Sequence, residues 1–162
     1  MTVVEFGKPS EDKFCLALGY FDGMHLAHRA ILDAAVAKAH ELGCRAAIST
    51  FADSPGGKIP IYPYHERKLL YEECGAEICL TMYYAGICGE KGAEFFAKLM
   101  SLYSPVHLVC GENYTFGCDL LGVRELEELC GSAGVGLTVV PTVYYGGVKV
   151  SSTAVKNFLL AG

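Results

Sequence analysis

The sequence predicts an α/β fold with a five-stranded parallel sheet covered by helices on both faces. Two observations support this prediction. Short apolar runs alternate with segments of helical periodicity from one end of the chain to the other, and the apolar runs are nearly continuous rather than alternating with polar residues. A strand that is apolar at successive positions is buried on both faces, as in a parallel sheet between two layers of helices.

The five predicted strands are short apolar runs bounded by turn residues. They span residues 14–18, 44–51, 77–82, 106–110 and 137–140. The helices are predicted where apolar residues recur every three or four positions, as in the first helix, which ends at Gly43. They span residues 28–42, 64–74, 92–103, 123–133 and 152–160. Three prolines and adjacent glycines predict a long loop over 52–63, and Gly146–Gly147 predicts a hairpin over 143–150.

Length and composition limit the function classes. The 162 residues are 52% hydrophobic and suffice for one domain, which we expect to span 1–162. The net charge of −5 argues against a nucleic-acid partner, and no apolar run approaches the roughly 20 residues of a membrane-spanning helix. No basic stretch followed by an apolar core marks a signal peptide near the first residues, so we expect a cytoplasmic protein with no membrane partner.

The eight cysteines indicate whether the protein resides in a reducing or an oxidising compartment. None forms a Cys-x-x-Cys pair, and several lie inside apolar runs, where cysteine behaves as a small buried hydrophobic residue. An even count also permits disulfides, but a chain with a full core does not need them. Free thiols in a reducing compartment are therefore expected.

Two predicted helix starts carry cations where acidic residues are usual. The loop after the first strand leads through His25, His28 and Arg29 into the first helix, and the last helix has Lys156 in its first turn. Each cation opposes the helix dipole by about 0.3–1 kcal/mol. The arrangement is favourable if an anion sits at both helix starts, where backbone N–H groups and cations converge on it.

Other interpretations of these residues stay open. Ser151 or Ser152 could simply cap the last helix beside a solvated lysine, and the two histidines could be ordinary loop residues. A zinc site at the histidines is a third possibility, although no cysteine lies at ligand spacing. Because both helix starts share the unusual charge, the sequence predicts a polyphosphate ligand.

These residues form two motifs that resemble a known family. Gly19-x-Phe21-Asp22-Gly23-x-His25-x-x-His28 and Ser151-Ser152-Thr153-x-x-Lys156 are similar to the adenylyltransferase module of the bacterial bifunctional riboflavin kinase/FAD synthetases, in the nucleotidyltransferase superfamily. The loops Gly111–Gly117 and Thr50-Phe51-x-x-x-Pro55 resemble that family's flavin-site loops. The resemblance covers essentially the whole chain and implies a Rossmann-like nucleotidyltransferase fold. We expect the family's kinase domain to be absent from these 162 residues.

The resemblance implies that the protein transfers AMP from ATP to FMN, giving FAD and pyrophosphate. In that reaction the FMN phosphate is itself the nucleophile, so catalysis rests on in-line positioning and on neutralising charge at the phosphates. ATP and FMN are then the expected small-molecule partners. Mg²⁺ would accompany ATP, and the sequence assigns it no protein ligand.

The resemblance also implies a role for each matching residue. The expected catalytic residues are His25, His28 and Lys156. The expected ATP-binding residues are Gly19, Phe21, Asp22, Gly23, Ser152 and Thr153. The expected FMN-binding residues are Asn113, Phe116 and Phe51.

Four departures from the family pattern keep alternatives open. Ala27 and Lys156 stand where the family has Gly and Arg, Asp53–Pro55 replaces Pro-His-Pro, and Cys118 replaces a Lys. Lysine keeps the charge of arginine but loses its bidentate phosphate geometry. One alternative is a nucleotide- or flavin-binding paralogue with weak or no catalysis. The other is a nucleotidyltransferase that acts on a different phosphorylated acceptor.

Overall fold

The computed structural model describes residues 1–161, and its main feature is a parallel sheet between two layers of helices. The strands of this sheet are β1 Thr2–Glu5, β2 Phe14–Ala17, β3 Arg45–Phe51, β4 Ile78–Met82, β5 His107–Gly111 and β6 Gly136–Val140. The helices are α1 Leu26–Leu42, α2 Tyr64–Glu73, α3 Tyr84–Ile87, α4 Gly92–Tyr103, α5 Val123–Ala133 and α6 Ser152–Ala161. A separate hairpin pairs β7 Tyr144–Tyr145 with β8 Val148–Lys149.

The strand order in the sheet is β1-β4-β3-β2-β5-β6, with all neighbours parallel. From β2 the chain builds outward through β3 to β4, and then returns to the other side of β2 with β5 and β6. In the register, Leu16 of β2 lies opposite Ala47 on one side and Leu108 on the other. The direction of building therefore reverses between β2 and β5, and in such sheets ligands bind at this point, beyond the carboxyl ends of the strands.

The sheet has six strands, so the predicted number of five is wrong by one. The additional strand is β1, which pairs with β4 at the edge of the sheet. Its residues Thr2, Val3 and Glu5 are exposed, and only Val4 packs against the core. An edge strand with one buried side chain has no continuous apolar run, and the pattern that identifies the central strands does not detect it.

The predicted burial of the sheet on both faces is confirmed. Phe14 and Leu16 of β2 belong to one core cluster, which includes Leu99 of α4. Cys15 and Ala17 of the same strand belong to a second cluster, which includes Leu32 and Tyr71 of α1 and α2. Successive residues of β2 thus point into opposite cores, which explains why the strand is apolar throughout.

The remaining elements follow the predictions with small differences. Helices α4 and α5 and the hairpin lie where they were predicted, whereas α1 begins at Leu26, two residues early. The four-residue helix α3 has no signal of its own in the sequence. All eight cysteines are free thiols, and Cys15, Cys79, Cys110 and Cys130 are buried. Within residues 1–161 no helix is long and apolar enough to cross a membrane.

Candidate active site

A cavity of about 300 Å³ opens at the reversal point of the sheet. Its floor is formed where β2, β5 and β6 end, at Leu18, Gly111 and Val140. The starts of α1 and α6 form one side of it, because both His25 and Ser152 line the cavity. The predicted convergence of the two helix starts on one space is therefore present in the structure.

The loop after β2 is folded tightly against the protein. A Cβ atom on Gly19 would lie 2.8 Å from the Phe21 ring, and one on Gly23 would lie 2.9 Å from Ile61. Phe21 is fully buried and has φ of +49°, a left-handed conformation that costs a non-glycine residue about 1 kcal/mol or more. Its ring meets His28 edge-on at 5.1 Å. Phe21 therefore packs against the His28 ring and also lines the cavity.

His25 caps α1 and connects it to α6. Its Nδ1 accepts a hydrogen bond from the backbone N–H of His28 at 3.2 Å, which explains why the helix begins earlier than predicted. Its Nε2 faces the Ser152 hydroxyl at 3.3 Å. Because Nδ1 is an acceptor, the proton of neutral His25 is on Nε2.

His28 presents the opposite tautomer. Its Nδ1 donates to the carbonyl oxygen of Gly23, a group that can only accept, so neutral His28 carries no proton on Nε2. Nε2 has no hydrogen-bond partner in residues 1–161. The His25 and His28 rings stack with their centroids 3.6 Å apart. Burial, together with the neighbouring His25, lowers the pKa of His28 to about 4, and burial lowers the pKa of His25 as well. Both histidines are therefore neutral at pH 7.

Asp22 connects the loop after β2 to helix α6 through hydrogen bonds. Its carboxylate is almost fully buried, and it accepts hydrogen bonds from the Ser152 hydroxyl and, at 2.8 Å, from the Lys156 ammonium. Burial alone would raise the pKa of Asp22, but these two bonds outweigh it and hold the pKa below its usual value. None of the ten residues of α6, all of which are described, is fully buried. Polar contacts to Asp22 and His25 are thus a main attachment of this helix.

The cavity brings together only some of the predicted site residues. Those that line it are Gly19, Phe21, His25, His28, Asn113 and Ser152. Asp22 and Gly23 lie behind its wall, Lys156 faces Asp22, and Thr153 is exposed away from the lining.

Sequence reasoning missed three polar residues that line the same cavity, Lys149, Glu112 and Thr142. The Thr142 hydroxyl accepts a hydrogen bond from the Asn113 amide at 2.9 Å and donates one to the Glu112 carboxylate. The sequence did offer a signal for Glu112, because this residue stands beside Asn113 in the loop motif. Lys149 lies on the hairpin, which carries no signal of a site in the sequence.

A second cavity of about 330 Å³ adjoins the first. The two share the lining residues Gly19, Asn113 and Tyr114, so they are direct neighbours. The second cavity is mostly aromatic and aliphatic, and both Phe51 and Phe116 line it. Phe51 is partly exposed, whereas Phe116 is 7% exposed and stacks on Tyr114 with ring centroids 5.8 Å apart. The cavity at the two helix starts thus lies beside a second cavity whose aromatic lining suits a planar aromatic group.

The comparison with known families agrees with this geometry. The sequence model of one family, described as FAD synthetase, matches residues 7–154. The chain belongs to the FAD synthetase family. The match includes the loop after β2, both strand-end loops of the second cavity and the start of α6.

Individual relatives in this family are similar over most of the chain. A bifunctional riboflavin kinase/FMN adenylyltransferase from Pseudomonas fluorescens is 30% identical over 93% of this chain and 52% of its own length. A protein of the same name from Bacillus subtilis is 27% identical over 96% of this chain and 52% of its own. An FAD synthetase from Listeria monocytogenes is 30% identical over 91% of this chain and 63% of its own. The chain therefore spans about half to two thirds of the length of these curated relatives.

One solved structure is similar over almost the whole fold. The crystal structure of a protein named macrolide-efflux protein, from Streptococcus pneumoniae, superposes with a TM-score of 0.86 at 22% identity. The match covers 99% of this chain and 56% of that one. At this level of identity the similarity supports the fold alone.

Proposed function

We propose that this protein transfers AMP from ATP to FMN, forming FAD and releasing pyrophosphate. The observation that carries the proposal is that the two cavities are adjacent. A pocket at two joined helix starts suits a triphosphate, and it shares Gly19 and Asn113 with an aromatic pocket that suits a flavin ring. These shared residues mark where the FMN phosphate would meet the α-phosphate of ATP.

In this proposal the chain supplies positioning and charge rather than a nucleophile. An oxygen of the FMN phosphate attacks the α-phosphorus, a new P–O bond forms, and the bond to the β-phosphate oxygen breaks as pyrophosphate leaves. His28 presents Nε2 to the phosphates and, once protonated, donates a hydrogen bond to an oxygen that gains charge. Ser152 and the first N–H groups of α6 contact the outer phosphates, and Lys149 adds a cation at the rim.

Two predicted residues take indirect roles in this scheme. Asp22 holds Ser152 and Lys156 in place, so it acts on ATP through α6 rather than by contact. Lys156 contributes its positive charge from its position beside Asp22. At the other end, Phe51 provides a partly exposed apolar wall for the flavin, and the buried Phe116 lines the same cavity.

Magnesium with ATP is part of the proposal, but these residues do not fit a magnesium ion as its ligands. Asp22, His25 and His28 offer one donor atom each within 4.8 Å of one another. Mg²⁺ prefers an octahedron of oxygen ligands, whereas this set has one carboxylate, already bonded to Ser152 and Lys156. Both nitrogens of His25 also have hydrogen-bond partners. Asp22, His25 and His28 therefore do not form a magnesium site.

The proposal treats residues 1–162 as one nucleotidyltransferase domain. Strands from both halves of the chain pair in a single sheet, with β1 starting at Thr2 and β6 ending at Val140. ATP as substrate and eight free thiols favour a reducing, ATP-containing compartment such as the cytoplasm.

A direct assay tests the proposed reaction. The protein is incubated with ATP, FMN and Mg²⁺, and FAD is followed by chromatography while pyrophosphate is measured with a coupled enzyme. We expect both products in equal amounts. Measurable binding of ATP and FMN without FAD formation would instead identify a binding paralogue, and binding of ATP without any affinity for FMN would indicate another phosphorylated acceptor.

A further inference from the structure

Arg67 of α2 is a buried cation without an acidic partner. Its residue exposure is 1%, and no carboxylate in residues 1–161 lies within 4.0 Å of its guanidinium nitrogens. Its Nε is buried and has no hydrogen-bond partner in the same residues. A buried charge is expensive, and apolar residues often replace buried ions with a gain in stability. Packing alone therefore does not account for an arginine here.

The guanidinium group is attached to the strand that carries the wall of the aromatic cavity. Nη1 donates to the Thr50 hydroxyl at 2.8 Å, and Nη2 donates to the carbonyl oxygen of Phe51 at 2.9 Å. The Thr50 hydroxyl in turn donates to the carbonyl oxygen of Tyr20 at 2.7 Å. Arg67 thus contacts the end of β3 directly and the loop after β2 through one residue.

Two aromatic rings enclose the same group. The guanidinium carbon lies 5.2 Å from the ring centre of Tyr20 and 5.5 Å from that of Tyr64. Tyr20 and Phe51 both line the aromatic cavity, and Arg67 does not. The positive charge therefore lies one side chain behind the cavity wall, where solvent cannot screen it well.

The acidic residues of the neighbouring loops are engaged elsewhere. Asp22 accepts from Ser152 and Lys156. Asp53 accepts from the backbone N–H groups of Tyr84 and Ala85, at 2.6 and 3.1 Å. Arg67 thus has no contact ion pair among the described residues. Its field reaches Tyr20 in the cavity wall, where the fields of Asp22 and Asp53 oppose it in part.

We propose that Arg67 is a specificity-determining residue that makes the aromatic cavity prefer a phosphorylated, anionic flavin to an uncharged one. This inference rests on the proposed function, since it assumes that the cavity accepts a flavin. The ring system of FMN and riboflavin is the same, so apolar contacts with Phe51 do not distinguish them. A fixed charge behind the wall attracts only the one that carries a phosphate.

The test compares the affinities of the full chain for FMN and riboflavin by titration calorimetry. In the wild type we expect FMN to bind more tightly than riboflavin. The difference between the two affinities should decrease as the salt concentration rises. Arg67→Gln should weaken FMN binding about tenfold, equivalent to about 1.4 kcal/mol, and leave riboflavin binding within about twofold. Arg67→Lys keeps the charge and should retain the preference for FMN. Arg124→Gln on α5, where the side chain is 85% exposed, is the control for net charge.

The outcomes separate this inference from the proposed function. Equal losses of FMN and riboflavin affinity in Arg67→Gln would overturn it, because they would show that Arg67 merely holds the Phe51 wall in place. If Arg67→Gln fails to fold by circular dichroism, Arg67→Lys decides, and loss of the FMN preference there would also overturn it. A wild-type protein that binds neither flavin would refute the proposed function itself, and the inference with it.

Discussion

The two ends of the proposed active site are built in different ways. At the triphosphate end, loop and helix residues are held by a chain of polar contacts that runs from His28 through His25 and Ser152 to Asp22. At the flavin end, the wall residue Phe51 packs against the hydrophobic core cluster to which Phe116 belongs. The triphosphate end is thus held to the rest of the protein by hydrogen bonds and charge. The flavin end is built on the hydrophobic core itself.

This difference has a consequence for substitutions. Removing a polar group at the triphosphate end should impair catalysis or ATP binding with a limited effect on folding, since α6 lies on the surface and has no fully buried residue among those described. Substitutions of large side chains at the flavin end should fall into two classes. Those that only line the cavity should affect FMN binding, and those that also fill the core should lower the free energy of unfolding.

The largest expected effect is on turnover in His28→Ala. This change removes an imidazole nitrogen that has no hydrogen-bond partner within residues 1–161 and that faces the proposed phosphate site, so we expect kcat to fall about a hundredfold or more, with the melting temperature nearly unchanged. Steady-state FAD formation and thermal unfolding measure both. His65→Ala on α2 is the matched control, because that side chain is 76% exposed. If His28→Ala unfolds the protein while ATP binding survives in the folded fraction, His28 is a structural residue.

The second prediction contrasts two phenylalanines at the flavin end. Phe116→Ala should lower the free energy of unfolding by about 3 kcal/mol, because the ring is 7% exposed and packs in the core. Phe51→Ala should cost less than about 1 kcal/mol and raise the KM for FMN about tenfold, with the KM for ATP unchanged. Chemical denaturation and kinetics on both substrates separate the two. Equal destabilisation by the two changes would show that the wall and the core are not distinct.

The third prediction concerns Asp22→Asn. Loss of the carboxylate should release Lys156 and Ser152, lower the free energy of unfolding by roughly 1–3 kcal/mol and raise the KM for ATP but not for FMN. Lys156 is 31% exposed on its side chain and regains water, which keeps the cost at the lower part of that range. Denaturation at several pH values adds a check. Because the folded pKa of Asp22 is depressed, its stabilisation is present at neutral pH and is lost as the pH falls through that pKa. The wild type and the variant should therefore converge in acid.

The smallest expected effect is proton uptake on nucleotide binding. Free His28 has its pKa lowered to about 4 and is neutral at pH 7, and a bound triphosphate favours its charged form. ATP binding should then take up a fraction of a proton, and ATP affinity should increase from pH 8 to pH 6. Calorimetry in buffers of different ionisation enthalpy measures the uptake, and subtraction of the His28→Ala result corrects for ionisation of ATP itself. Equal proton linkage in both proteins would contradict the role of His28.

Much of the fold and part of the site were predictable from sequence, for identifiable reasons. The apolar runs of β2 to β6 and the spacing in α4 and α5 are local signals, and they placed those elements correctly. Strand β1 was not predicted, because an exposed edge strand has little apolar pattern. Arg67 escaped because a charged residue in a helix is predicted to face solvent, and only the packing of Tyr20 and Tyr64 around it shows otherwise.

The sequence by itself determined that two helix starts carry basic residue types where acidic ones are usual, and that both belong to one family's motifs. The residue types His25, His28 and Lys156 can be compared with the preferences of a helix start without knowing where the helices lie. Only the tertiary structure decided what each of these side chains faces and that burial keeps the two histidines neutral. Asp22 and Lys156 are 134 residues apart in the chain, and their contact depends on how the last helix packs against the loop after β2. Local patterns reflect the preferences of neighbouring residues, whereas the partners of a side chain across the fold are set by the packing of the whole sheet.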